Sequence, residues 1–164
     1  MPAFQLAAHA ASHRECELCR EAGGVLVFQS PHWRVIRAQE PAFPAFYRVV
    51  WGEHVAEWTD LPLAHQAELM GAVSAVERVL REALEPAKIN LASLGNVTPH
   101  VHWHVIARFA WDSRWPGPVW APATREVGPP EPVDRLGMSL EALDARVARA
   151  VAALAPAVAT SASR

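Results

Sequence analysis

Apolar and polar positions alternate through residues 100–106, which read His-Val-His-Trp-His-Val-Ile. In a strand, successive side chains point to opposite faces. The period of two therefore predicts a strand with His100, His102 and His104 in one row, and with Val101, Trp103 and Val105 turned into a core. Further strands are predicted at residues 25–28 and Trp33–Arg37, joined by a turn at Ser30-Pro31-His32, and at Phe46–Trp51 and 88–94. Gly95-Asn96 marks a turn, and Pro99 opens the histidine strand, where a missing N–H is tolerated. Leu69, Val73, Val76, Leu80 and Leu84 recur at spacings of four, three, four and four. That is one face of a helix over roughly 63–84, capped near Thr59-Asp60 and stopped by Pro86. A second helix starts at Ser139 as N-cap, with Leu140, Leu143, Val147, Val151 and Leu154 as its stripe. It reads as a docked C-terminal helix or a dimer element. The order predicts an α+β domain built on an antiparallel sheet.

Composition narrows this picture. The length of 164 residues suits one domain with a real core. A net charge of −2 argues against dedicated nucleic-acid binding, which usually needs a basic surface. No apolar run is long enough to span a bilayer, and the start lacks the basic region of a signal peptide. A cytoplasmic, non-membrane protein is expected, in which Cys16 and Cys19 stay out of a structural disulfide. Of seven Trp residues, Trp103, Trp111, Trp115 and Trp120 fall close together. Those of segment 111–120 suit core or interface packing, or a wall of a binding groove.

The run Asn90 to Arg108 resembles the signature of the histidine triad family: three histidines alternating with apolar residues, preceded by an Asn on the strand before. Cys16-x-x-Cys19 resembles the family's common N-terminal pair. Residues 49–54, Val-Val-Trp-Gly-Glu-His, match an apolar strand that ends in a His. The likeness spans roughly residues 14–120 and looks nearest to bacterial members of diadenosine-polyphosphate hydrolase type. It implies a five-stranded antiparallel sheet with one main helix and a C-terminal helix, and a sheet continued across a homodimer. Residues 1–125 then form the histidine triad domain, irregular over 1–13, and 126–164 an extension with one helix and a frayed tail.

A neutral imidazole is a good nucleophile near pH 7. It can take a nucleotidyl group from an α-phosphate and pass it to water, splitting one displacement into two. By resemblance His102 is the nucleophile, and His104 donates to the phosphate or to the leaving group. His100 contributes the carbonyl that orients the nucleophile's ring. Asn90 and Asn96 are the expected nucleotide contacts; ordinary turn chemistry is the other reading of both. Three positions depart from the family pattern. The spacing of Asn90 to His100 is one residue shorter than in several branches, Val97 stands where Ser or Thr is frequent, and Ala107 replaces a Pro.

The spacing Cys16-x-x-Cys19 is that of a metal knuckle, which needs two more ligands. The resemblance supplies His54 and His100, giving a structural zinc and no organic cofactor. A local set of His9, His13, Cys16 and Cys19, or two reduced cysteines without metal, are the alternatives. The function implied is hydrolysis or nucleotidyl transfer on dinucleoside polyphosphates, nucleoside phosphoramidates or nucleotide sugars. Two other readings stand beside it. One is a non-catalytic nucleotide-binding or regulatory module on the same fold. The other is a single catalytic metal held by His100, His102 and His104.

Overall fold

The computed structural model describes residues 15–154. A short helix, α1 (Glu17–Arg20), precedes strands β1 (Val25–Gln29), β2 (Trp33–Arg37) and β3 (Phe46–Trp51). Helix α2 (Leu63–Leu84) follows, then β4 (Lys88–Ala92), β5 (His102–Arg108) and, after a long irregular stretch, helix α3 (Leu140–Ala152). All strand pairs are antiparallel, in the order β1-β2-β3-β5-β4. The chain thus has the α+β architecture expected, with five strands, one main helix and a C-terminal helix.

The alternation of side chains divides the sheet. Trp33, Val35, Tyr47, Val49 and Val105 lie on one face, under Leu69, Val73, Val76 and Leu80 of α2 and Leu143, Val147 and Val151 of α3. The C-terminal helix therefore shares the main core. Asp144 fixes it to the sheet by accepting from the Tyr47 hydroxyl at 2.7 Å and from Arg37 Nε at 3.0 Å. The opposite face carries two smaller apolar clusters. Cys16, Leu18 and Cys19 pack on Ile36 and Val50 at one end; Ala38, Phe43 and Val119 pack on Phe46 and Ile106 at the other. His102 and His104 occupy the row between, paired across the ladder with Val50 and Arg48.

Several expected boundaries move. The histidine strand begins at His102, because the preceding backbone turns elsewhere: His100 N–H donates to Thr98 O, and Val101 N–H to Val55 O. β4 ends at Ala92 rather than at residue 94. Thr59 and Asp60 do not cap α2; they lie in a 3-10 turn, Trp58–Asp60, and Pro62 is the N-cap without a side-chain bond. Ser139 does cap α3, accepting from Ala142 N–H at 3.2 Å. Leu154 falls beyond the end of that helix and is exposed, so the stripe stops at Val151. α1 has no counterpart among the expected elements. The expected frayed tail at 156–164 and the irregular 1–13 lie outside the described residues.

Candidate active site and metal centre

The three histidines do not share one task, because β5 starts only at His102. His100 is 1 % exposed, and its Nε2–H donates to Trp51 O at 2.8 Å. That bond leaves the Nδ1 lone pair facing Cys16 Sγ and Cys19 Sγ, each 3.5 Å away. His54 Nδ1 stands 3.3 Å from Cys19 Sγ. The ligand atoms of Cys16, Cys19, His54 and His100 all lie within 4.8 Å of one another. Tetrahedral ligands at about 2.3 Å for sulfur and about 2.0–2.1 Å for nitrogen stand about 3.5 Å apart. The four residues therefore fit a zinc-sized ion in donor type, number and spacing. The carbonyl that fixes the His100 tautomer is the usual outer partner of a metal-bound histidine. Burial and the adjacent Cys16 push the Cys19 thiol up to about 12. In the absence of a cation the Cys19 thiol keeps its proton, and a bound cation would displace it. His9 and His13, the alternative ligands, lie outside the described residues.

His102 Nδ1–H donates to the carbonyl of His100 at 2.6 Å. Its proton is thereby held on Nδ1, and Nε2 carries a free lone pair. The His104 ring stands edge-on to it, with centroids 4.8 Å apart. Burial, with the charge of Arg48 beside it, pushes both groups down, His104 to about 3. Two neutral imidazoles therefore face the same space near pH 7. That space is a cleft of about 290 Å³ whose walls include Glu17, Leu18, Arg48, residues 94–98, His102, His104 and Trp120.

Asn96 lines this cleft. Asn90 does not: its Oδ1 accepts from Arg108 Nη1 at 2.7 Å, within the sheet next to the cleft. Val97 is on the rim, 96 % exposed, and offers no hydrogen-bond donor from its side chain. Of the Trp-rich segment, Trp120 is the cleft residue, its ring 5.3 Å from His104; Trp111 stacks on Phe109 instead. The alternation within Phe46–Trp51 places Arg48 with Phe46 and Val50, on the face of the histidines. That lone cation in an apolar strand was the available signal for it, but only the register beside β5 makes it a site residue. A second group, His32, His65 and Glu68, is also close enough to hold an ion. Glu68 is already engaged there, by His32 Nδ1 at 2.9 Å and Trp33 Nε1 at 2.8 Å.

The sheet, the cleft and the paired histidines define a small α+β protein with a histidine-based site on one face of an antiparallel sheet. The chain belongs to the histidine triad family, whose HIT domain model matches residues 20–111. It is similar to the crystal structure of a histidine triad protein of Bradyrhizobium japonicum, with 27% identity, a TM-score of 0.64, and 79% of this chain and 92% of that one covered. A histidine triad protein of Marinobacter aquaeolei VT8 aligns at 25% identity and a TM-score of 0.63, over 82% of this chain and 93% of that one. One of Sinorhizobium meliloti 1021 aligns at 27% and 0.61, over 77% and 88%. No curated protein matches the chain. Members of the family are generally nucleotide hydrolases or transferases. Among the described residues no helix is long and apolar enough to cross a membrane.

Proposed function

We propose that this protein is a nucleotide hydrolase or nucleotidyl transferase that cleaves at an α-phosphate through a nucleotidyl-His102 intermediate. The observation that carries this reading is the 2.6 Å bond from His102 Nδ1–H to His100 O, which leaves Nε2 as the lone-pair atom. In the first step Nε2 attacks the α-phosphorus, a P–N bond forms, and the bond to the leaving group breaks with its electron pair. His104, a neutral imidazole, gives its one N–H to a phosphate or leaving-group oxygen. Water then attacks the phosphorus and releases a proton to the solvent, the P–N bond breaks, and the lone pair returns to Nε2. Asn96 supplies an amide donor at the cleft wall. Asn90 acts through Arg108 rather than from the cleft lining.

Cys16, Cys19, His54 and His100 are proposed as the ligands of a structural zinc. Four protein ligands close the ion's coordination, so the chemistry it supplies is cross-linking alone. Its effect is to pin α1 and the loop after β3 to the residue whose carbonyl orients His102. Dinucleoside polyphosphates of the diadenosine type, or nucleoside phosphoramidates, are the proposed substrates; a homodimer in the cytoplasm is the proposed state.

Quenching the reaction in acid-free denaturant and mapping peptides by mass spectrometry tests the mechanism. A nucleotidyl mass on the peptide containing His102, absent from a folded His102→Ala variant that has lost turnover, is the expected result. Full turnover by that variant would remove His102 from the chemistry. The exposed Val97, offering no side-chain donor at the rim, favours one second reading, a nucleotide-binding module without turnover. Tight nucleotide binding with no adduct and no product would establish that reading instead.

A further inference from the structure

Among the described residues Arg48 is a cation without an anionic partner, placed beside the rings of His102 and His104. It lies opposite His104 in the β3–β5 ladder and lines the same cleft. None of the ion pairs among the described residues uses it. Its Nε is buried with no hydrogen-bond partner, and Nη1 makes one long bond, 3.4 Å, to Gly23 O. Its guanidinium leans over the Phe46 ring at 5.4 Å. The acidic side chain in the cleft wall, Glu17, is exposed and forms no ion pair with it. A half-buried guanidinium left this short of acceptors calls for an anion that offers two oxygens to its N–H groups, a carboxylate or a phosphate.

Position says which anion. His104 lies two residues along β5 from His102, toward the Phe46 end of the cleft, and Arg48 and Trp120 flank it. Where His104 donates to the leaving-group oxygen, as proposed above, the departing phosphates extend on that side. We infer that Arg48 is a specificity-determining residue, which binds the phosphates of the leaving group and so favours nucleotides with an anionic polyphosphate leaving group over phosphoramidates that release a neutral amine. This rests on the proposed attack by His102 for the word "leaving", but the anion site itself does not.

The full-length protein and its R48M and R48K variants test it on a dinucleoside tetraphosphate and on a nucleoside 5′-phosphoramidate. A lost charge-assisted pair predicts a fall of about 10- to 100-fold in kcat/KM on the polyphosphate for R48M. The phosphoramidate should change by less than about threefold on the same scale. R48K, which keeps the charge but not the two-point contact, should fall between wild type and R48M on the polyphosphate, and R48Q replaces R48M should the latter not fold. Equal losses on both substrates, or none on either, would overturn the inference. Calorimetric binding of inorganic tripolyphosphate to H102A and to H102A/R48M separates the two layers. Tripolyphosphate binding lost with Arg48, together with no His102 adduct on the wild-type protein, keeps the anion site and rejects the mechanism. Binding indifferent to Arg48 rejects the anion site, whatever the adduct shows.

Discussion

Arg108 ends β5 as a buried charge, 1 % exposed, and nearly every N–H of its guanidinium is used. Asp112 takes Nε at 2.8 Å and Nη2 at 3.0 Å, Gly117 O also takes Nη2, and Asn90 takes Nη1. Removing one partner of such a pair strands the other in a low dielectric. Asp112→Ala should therefore cost about 3–5 kcal/mol in urea unfolding, although the residue touches no part of the cleft. Burial would raise the Asp112 carboxyl, but the Arg108 bond and charge and the N–H groups of Arg114 and Phe109 outweigh it and hold it below its ordinary 3.8. A depressed folded pKa means the unfolded chain binds the proton first. The contribution is thus complete above the ordinary value and is lost as pH falls through the folded one. Below about pH 4 the wild type should lose stability with acid more steeply than Asp112→Asn; parallel slopes would assign the acid limb to other groups. None of this was legible in the chain. Arg108 was readable only as the end of a motif, since its partners come from a loop and from a neighbouring strand whose register no sequence pattern states. That His102 and His104 share one face, by contrast, followed from alternation, because period two is a local property of the chain.

At the scale of elements, the same local patterns located all five described strands and both long helices; the bounds of β2, β3 and α2 are as expected, while ends of β4, β5 and α3 are displaced. A strand ends where its hydrogen bonds find other partners: Val55, far off in the chain, for Val101, and Thr98, two residues back in a tight turn, for His100. The late start of β5 has a chemical consequence, since it frees His100 to turn toward α1. Arg34, buried beneath, holds α1 there through Leu18 O at 2.7 Å and Glu21 O at 3.2 Å. A zinc held by Cys16, Cys19, His54 and His100 would join these elements covalently in all but name. Cys16→Ser is therefore expected to reduce zinc, measured by plasma mass spectrometry, from one per chain to well below one, and to lower the melting temperature. A three-histidine catalytic metal would instead survive that change. At the other end of the chain, α3 is bound by burial. Leu143 is 0% exposed against the main core, so Leu143→Ala should cost about 2–5 kcal/mol in denaturant unfolding. A loss under about 0.5 kcal/mol, the range of surface substitutions, would show that the helix is not part of the cooperative unit.

The whole molecule has an open sheet, and its two edges are unlike. β1 is bulged, with a register shift between Leu26 and Phe28, and bulges discourage pairing with another chain. β4 pairs with β5 over all five of its residues without a shift, and Leu91 on it is 42% exposed. The exposed Leu94 and Val97 follow directly in the loop that forms the cleft wall. An even edge strand beside apolar side chains is the surface a second copy would extend, strand against strand, by a two-fold axis. Docking there would also bring the second copy against the loop that carries Asn96, so assembly and substrate binding are expected to be coupled. Light scattering on the purified chain should give twice the mass of one chain at micromolar concentration. Leu91→Lys, which places a charge on that edge, should shift it toward the single chain and make activity depend on protein concentration. Wild-type protein that runs as a single chain at tens of micromolar, on the order of 10 times a typical weak dissociation constant of about 1 μM, would rule the edge out as an assembly surface. A dimer untouched by Leu91→Lys would move the contact to another part of the surface. Activity that rises with dilution-resistant dimer would then place the coupling in the loop itself rather than in the strand.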